Sequence, residues 1–139
     1  MHARRITTNL HVADVESAKD FYRDYLGLST EEFDMGWVAR YTDPDTGAHV
    51  QLVTGDATAP EDSVMTVHTD DVEAAYAEAQ GLGYDIVHPL TTEEWGVYRF
   101  LVRAPDGNVI NVVQHRDRPR DATRSTTQAA AAETRCLAG

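Results

Sequence analysis

The sequence contains one supersecondary plan twice. The segment LHVADVESA at residues 10–18 returns as VHTDDVEAA at residues 67–75, 57 residues later. The segment DPDTGAHVQLV at residues 43–53 returns as APDGNVINVV at residues 104–113, 60 or 61 residues later. A repeat of this length indicates two similar units that pack together. Equivalent strand positions from two such units can converge on one cavity, so that cavity is where function is sought.

The first half of each unit reads as a strand followed by a helix. Alternating apolar and polar residues predict strands over residues 6–12 and 63–69. Asp14 and Asp71 then suit helix N-caps, because a carboxylate accepts hydrogen bonds from the free amides of a first helical turn. Helical spacing predicts two core-facing stripes, each ended by a glycine. Their members are Val15, Ala18, Phe21, Tyr22, Tyr25 and Leu26 before Gly27, and Val72, Ala75, Ala79 and Leu82 before Gly83.

The second half of each unit reads as extended segments joined by turns. Pro-Asp-Thr-Gly and Pro-Asp-Gly are typical of hairpin turns, and they predict strands over residues 36–42 and 48–54, and over 96–103 and 108–115. Weaker strand patterns cover residues 28–33 and 84–87. Side-chain alternation across a type I turn with a glycine bulge pairs Leu101 with Asn111 and Arg99 with Val113. Each unit is therefore predicted to be strand-helix-strand-strand-strand.

Length and pattern define the organisation. The 139 residues suit one domain with its own core. We place this domain at residues 5–115, with a first module at 5–54, a polar linker at 55–62 and a second module at 63–115. Residues 116–139 lack periodicity and are expected to form a disordered tail.

Charge and cysteine content exclude several classes of protein. Residues 1–115 carry 7 basic and 20 acidic side chains, a net charge of −13. Such a body repels phosphate backbones, so no nucleic-acid partner is expected. The single cysteine, Cys136, excludes an intramolecular disulfide and a cysteine-based zinc cluster. The chain shows no signal-like start and no membrane-spanning apolar run, so we expect a cytoplasmic protein without a membrane partner.

The doubled plan, together with its motifs, resembles the vicinal oxygen chelate superfamily, which includes glyoxalase I, extradiol dioxygenases and bleomycin-resistance proteins. The motifs that carry the resemblance are Asp14, Phe21-Tyr22, Leu26-Gly27-Leu28 and Ala104-Pro105-Asp106-Gly107-Asn108. The resemblance covers about residues 5–115. It implies an α+β fold in which two βαβββ modules form a cupped mixed sheet around a small-molecule site. It also implies a homodimer.

Enzymes of that family typically hold a divalent metal ion with His, Glu or Gln from four strands. Aligning the cap and turn motifs places the four equivalent positions at Thr7, Gln51, Val64 and Asn111. Valine offers no lone pair, and threonine and amide oxygens are weak ligands compared with His, carboxylate or thiolate. We therefore expect no metal and no cofactor. The resemblance is greatest to the metal-free, drug-binding members.

Polar side chains on the predicted cup face form the candidate ligand site. By strand parity they are Asn9, His11, Arg40, Gln51, His68, Arg99 and Asn111. Two interpretations of the arginines stay open. Arg40 and Arg99 either recognise an anionic or carbonyl-rich ring compound, or pair internally with acids such as Glu93 or Glu94.

Both tryptophans lie beside glycines near strand starts. Trp95 precedes Gly96 in a loop that is expected to overhang the cup, and some drug-binding family members stack planar ligands near this Trp-Gly. Trp95 either touches a ligand or packs at a strand end. The parity of Trp37 indicates the core.

Three functions remain in competition. The first is a metal-independent small-molecule binding protein that sequesters an antibiotic or an aromatic metabolite. The second is a lyase, isomerase or dioxygenase with a displaced metal or an acid–base site, for which His11 and His68 are the catalytic candidates. The third is an accessory domain with a vestigial cup. One fold hosts many chemistries, so the fold does not decide among them.

Overall fold

The structure is a computed structural model that describes residues 1–115. In chain order its elements are β1 (Arg5–His11), α1 (Val15–Lys19, continued by a π-helical turn at Asp20–Tyr25), β2 (Thr30–Asp34), β3 (Val38–Thr42), β4 (His49–Val53), β5 (Met65–His68), α2 (Val72–Gly81), β6 (Asp85–Thr92), β7 (Val97–Arg103) and β8 (Val109–His115). The strands form one mixed sheet in the order β2-β3-β4-β1-β5-β8-β7-β6. The predicted α+β fold of two βαβββ modules is confirmed. The tail expected at residues 116–139 lies outside the described residues.

The two modules meet at the centre of the sheet. Strands β1 and β5 run antiparallel, with Arg5 opposite His68 and Thr8 opposite Met65. Outward from this seam, β1 pairs in parallel with β4 and β5 pairs in parallel with β8. The arrangement gives the sheet an approximate two-fold symmetry, so that equivalent residues of the repeat lie on opposite sides of the seam.

The helix ends follow from local chemistry. The Asp14 carboxylate accepts from the amide of Ser17 at 2.9 Å, and the Asp71 carboxylate accepts from the amide of Ala74 at 3.0 Å. Both predicted N-caps are therefore confirmed. Gly27 has φ +79° and follows the first helical segment. An L residue with a side chain is strained in this left-handed conformation, which explains glycine at that position.

The stripe predicted for the first helix is wrong at Phe21, Tyr25 and Leu26. The amide of Leu26 bonds to the carbonyl of Phe21 at 3.0 Å, five residues back, so the chain winds as a π-helix over this stretch. A π turn changes the angle between successive side chains and breaks the 3.6-residue spacing. Tyr22 still packs on the core, whereas Phe21 and Leu26 are exposed and Tyr25 is 77% exposed. In α2, Leu82 is exposed as well, contrary to its predicted place in the stripe.

Each module has its own apolar core between its helix and the sheet. In the first, Val15 packs with Tyr41 and Leu52. In the second, Val72 packs with Phe100. Full burial of each such side chain contributes about 1.5–3 kcal/mol before conformational entropy is counted. Neither helix within residues 1–115 is long and apolar enough to span a lipid bilayer.

The predicted hairpin registers are confirmed. Arg40 lies opposite Gln51 in the first hairpin, and Leu101 lies opposite Asn111 in the second. The sheet face away from the helices is also buried, since Arg40, Leu101 and Arg99 on that face have essentially no exposed surface. No helix of the described chain covers this face, so it is enclosed by the sheet and its loops. We call this enclosed face the cup.

Candidate functional site

The floor of the cup is a chain of hydrogen bonds across five neighbouring strands. It starts on β3, where the Arg40 guanidinium donates to Gln51 Oε1 at 2.8 Å, and Gln51 Nε2 in turn donates to Asn9 Oδ1 at 2.9 Å. Asn9 Nδ2 donates to Thr66 Oγ1 at 2.9 Å, and Asn111 Nδ2 donates to the same hydroxyl at 3.3 Å. All five side chains are buried. The chain crosses the seam and links the two modules.

The family-equivalent positions chosen from the sequence only partly meet. Gln51 and Asn111 lie on the floor. Thr7 is buried on the same face, opposite Thr66, and its hydroxyl lies 3.0 Å from His49 Nε2. Val64 precedes β5 and is 47% exposed, so it is not a floor residue. Asn9 and Thr66, 57 residues apart like His11 and His68, occupy the symmetric floor positions on β1 and β5.

This floor does not fit the divalent ion that the fold family implies. The atoms that it could offer to a metal ion are amide and hydroxyl oxygens, which bind transition metals weakly. The amide oxygens of Gln51 and Asn9 already accept hydrogen bonds within the floor. The Arg40 guanidinium also places a positive charge 2.8 Å from Gln51 Oε1, where it would repel a cation. Among residues 1–115, no three His, Cys, Asp or Glu side chains form a group that could hold a metal ion.

Arg40 is a structural part of the floor. It has no exposed surface, lies 5.1 Å from the centroid of the Phe33 ring, and its Nη1 is 3.8 Å from Glu32. Burial, with repulsion from Arg5, lowers the pKa of Arg40 to about 10, and Glu32 opposes this shift. Arg40 therefore stays charged at neutral pH. Of the two interpretations of this arginine, the structure favours internal pairing.

Arg99 is neutralised even more completely. Its Nη1 and Nη2 bind the Asp56 carboxylate at 3.0 and 2.7 Å, and its Nε binds Glu93 Oε2 at 2.8 Å. Burial alone would lower the pKa of Arg99, but its two carboxylate partners outweigh burial and raise it. Burial likewise opposes ionisation of Asp56, yet Arg99 and the amides of Ala59 and Thr58 lower its pKa. The expected pairing with Glu93 is present, and Asp56 is an additional partner.

The two histidine candidates for acid–base catalysis lie apart. His68 is buried near Arg5 at one end of the seam, whereas His11 lies six residues further along β1, about 20 Å away at strand spacing. The His11 side chain is 65% exposed, and its Nδ1 lies 3.1 Å from Asp62. The geometry does not bring these two side chains onto one substrate.

The two tryptophans meet at the cup. Their ring centroids are 5.3 Å apart in an edge-to-face arrangement, and the guanidinium carbon of Arg99 lies 5.3 Å from the centroid of the Trp95 ring. Trp37 lines the central cavity, so the core position predicted for it from parity is wrong. It precedes β3 and follows Gly36, whose φ of +90° reorients the chain before strand alternation begins. The indole Nε1 of Trp95 is buried and has no hydrogen-bond partner within residues 1–115.

The central cavity is nearly filled by the protein itself. It measures about 10 Å³, roughly the space for one water molecule. Floor residues line it together with Trp37 and two residues of the segment between β4 and β5, Asp56 and Ser63. Sites for drug-sized ligands typically measure about 300–1,000 Å³. Any ligand of that size therefore has to displace part of the lining.

Sequence reasoning missed the linker residues and Thr66. Adding the 57-residue repeat offset to Asn9 leads directly to Thr66, so that signal was present. The linker is rich in acids, and the cup contains arginines, which is a hint that the two associate. The path of a linker, however, is not set by any periodic pattern.

The family model described as the glyoxalase/bleomycin resistance protein/dioxygenase superfamily matches residues 4–112. The chain belongs to this superfamily. Among curated proteins, none is significantly similar to it.

Solved structures share the fold at low sequence identity. An NAD-dependent benzaldehyde dehydrogenase from Legionella pneumophila has a TM-score of 0.64 and 16% identity, covering 80% of this chain and 99% of its own. An uncharacterized protein from Methanosarcina mazei has a TM-score of 0.60 and 23% identity, covering 83% and 94%. A superfamily member from Vibrio splendidus 12B01 has a TM-score of 0.55 and 22% identity, covering 79% and 97%. At these identities the likeness establishes the fold alone.

Proposed function

We propose that this superfamily member is a metal-independent binding protein that sequesters a planar organic compound, such as an antibiotic or an aromatic metabolite. The observation that carries the proposal is the Trp37–Trp95 pair. Each module contributes one indole, and the two rings meet beside the cup at a centroid distance of 5.3 Å. Aromatic faces in a concave site are well suited to stack on a planar ligand.

Two further features support binding rather than metal chemistry. The floor contains amides and hydroxyls in place of a set of metal ligands, with a guanidinium among them. The buried Trp95 indole N–H, which has no acceptor within residues 1–115, is a donor that a carbonyl or carboxylate oxygen of a ligand would satisfy. Buried donors are rarely left without a partner. The alternative function, a lyase, isomerase or dioxygenase, stays a prediction, and so does the homodimer.

Binding of planar compounds tests the proposal. The experiment titrates a panel of planar antibiotics and aromatic metabolites against tryptophan fluorescence, and then measures Kd by calorimetry for the wild type, Trp95→Ala and Trp37→Ala. An aromatic pair contributes about 0.5–1.5 kcal/mol, so each variant is expected to bind about 2- to 10-fold more weakly.

Leu82→Ala serves as a control because Leu82 is exposed at the end of α2, on the other side of the sheet. It is expected to bind like the wild type. An absence of saturable quenching across the panel, or unchanged Kd values in both tryptophan variants, would contradict the proposal.

A further inference from the structure

The linker between β4 and β5, residues 54–63, folds across the cup, and we call it the strap. Side chains hold it to both modules. In the first module, Ser63 accepts from Asn9 at 2.9 Å and Asp62 bonds to His11 at 3.1 Å. In the second module, Thr58 donates to Glu93 at 2.8 Å. The strap therefore engages several polar groups that the sequence had suggested for a ligand.

The strongest of these contacts is the pair between Asp56 and Arg99. Both oxygens of the carboxylate bind the two terminal nitrogens of the guanidinium, at 2.7 and 3.0 Å. The Arg99 side chain has no exposed surface, and that of Asp56 is 6% exposed. Guanidinium and carboxylate groups match in this two-point geometry, which is also how arginine recognises carboxylate ligands. Asp56 thus occupies the edge of Arg99 that a ligand carboxylate would use.

Release of Asp56 would leave Arg99 oriented for a ligand. Glu93 holds the guanidinium through Nε at 2.8 Å, and His88 Nε2 lies 3.1 Å from the same carboxylate oxygen, so Glu93 keeps a partner outside the strap when Thr58 leaves it. The Trp95 ring lies beside the guanidinium carbon, 5.3 Å from its centroid. A flat ring on the indoles and a carboxylate on the terminal nitrogens of Arg99 would fill the space that the strap leaves. The carboxylate would also replace the negative charge of Asp56.

The size of the cavity requires such a displacement. The central cavity has about 10 Å³ of open space, and Asp56 and Ser63 of the strap line it. The other lining residues belong to strands or lie beside them, where backbone hydrogen bonds hold them in the sheet. At its start, the strap is held by the Thr54 amide, which donates to the Trp37 carbonyl at 2.9 Å. From Asp56 to Ser63 its contacts with the two modules run through side chains, so moving that stretch does not break a strand.

We infer that the strap is an internal competitor for the ligand, and that Arg99, once freed from Asp56, binds the carboxylate of a planar aromatic acid. The inference rests on the proposed function and specifies its ligand class. Intramolecular competition lowers the apparent affinity by the fraction of molecules in which the strap is open.

The test compares Asp56→Asn with the wild type by calorimetry, using 2-naphthoate and its neutral analogue 2-naphthamide. The variant is expected to bind 2-naphthoate about tenfold more tightly than the wild type, because it loses the carboxylate charge that pairs with Arg99. Within the variant, 2-naphthoate is expected to bind about tenfold more tightly than 2-naphthamide. Equal Kd values for wild type and variant, or no preference for the acid, would overturn the inference.

Asp24→Asn is the matched control. It removes the same charge from an exposed pair on the first helical segment, in which Asp24 lies 2.9 Å from Arg23. Its affinity for 2-naphthoate is expected to equal that of the wild type. If both variants tighten binding equally, overall charge explains the effect and the strap is not a competitor.

Hydrogen exchange of the wild type provides a test that does not depend on the folding of a variant. Saturating 2-naphthoate is expected to speed exchange of the amides of Asp56, Thr58 and Ala59, because the strap opens. Slower exchange there would overturn the inference.

If neutral planar compounds bind through Trp95 but the strap and Asp56 have no influence, the inference fails and the proposed function stands. If no planar compound binds even Asp56→Asn, both fail.

Discussion

At the scale of single residues, Asp56 shows how a buried carboxylate keeps its charge. A buried carboxylate is unfavourable in water-poor surroundings unless it is paired. Here the Arg99 fork and the amides of Thr58 and Ala59 provide that pairing, and together they lower the pKa of Asp56 in spite of its burial. Asp56 therefore holds the strap to the cup and neutralises the charge of Arg99. Its protonation also makes the stability of the protein depend on pH.

A pH dependence of stability follows. Because the folded pKa of Asp56 is lowered, its contribution is present above the unfolded value of about 3.9 and is lost as the pH falls through the folded value. Asp56→Asn is expected to reduce the free energy of unfolding at pH 7 by about 1–3 kcal/mol. This difference should shrink below about pH 4. Urea unfolding of wild type and variant at a series of pH values measures it, and a gap that widens in acid would contradict the assignment.

At the scale of elements, the π turn after α1 shows how winding decides which side chains are buried. Its wider turn moves Phe21, Tyr25 and Leu26 to the surface, although an α-helical reading of the same residues places them in the core. The segment then ends at Gly27, where a φ of +79° turns the chain toward β2. A Cβ at this position would have no atom within 4 Å, so backbone conformation alone explains the glycine.

Two glycine substitutions are expected to have opposite effects. Gly27→Ala should destabilise the protein by about 1–2 kcal/mol, because alanine resists the left-handed conformation. Gly81→Ala should stabilise it by about 0.5–1 kcal/mol, because Gly81 lies in α2 with open space around a new Cβ. Each variant is the control for the other in urea unfolding. Effects of the same sign would contradict this account of the two helix ends.

The hairpins and the floor show what local pattern could and could not predict. The Pro-Asp turns and strand alternation correctly predicted that Arg40 faces Gln51 and that Leu101 faces Asn111. Alternation is a local rule that holds wherever a strand is regular. It failed at Trp37, which lies outside the regular strand, and it carried no information on the strap. Contacts such as Asp56 with Arg99 join residues 43 positions apart and depend on the path of a whole loop.

At the scale of the whole molecule, the two modules contribute matching halves of one cup. Besides Arg40, the floor takes Asn9 and Gln51 from the first module and Thr66 and Asn111 from the second, and these four are uncharged. Two-fold repetition therefore reproduces the same weak donor type on both sides of the seam. In a metal-binding arrangement, this symmetry would have to supply His or carboxylate groups from both halves.

Elemental analysis of protein purified without chelators tests this account. We expect divalent metal well below one ion per chain, and a thermal unfolding midpoint that does not change on addition of EDTA. A ligand that binds only the folded state raises apparent stability, so a tightly held ion would reveal itself through a lower midpoint after chelation. One tightly bound divalent ion per chain would contradict the metal-free proposal.

The contact between the two indoles has an optical consequence. Trp37 and Trp95 come from different halves of the chain and lie 5.3 Å apart, close enough for their transition dipoles to couple. The circular dichroism of such a coupled pair depends on the angle between the rings. The circular dichroism of this tryptophan pair therefore reports how the two halves of the chain are oriented, without an added label. It can be recorded in dilute solution while the cup opens or closes.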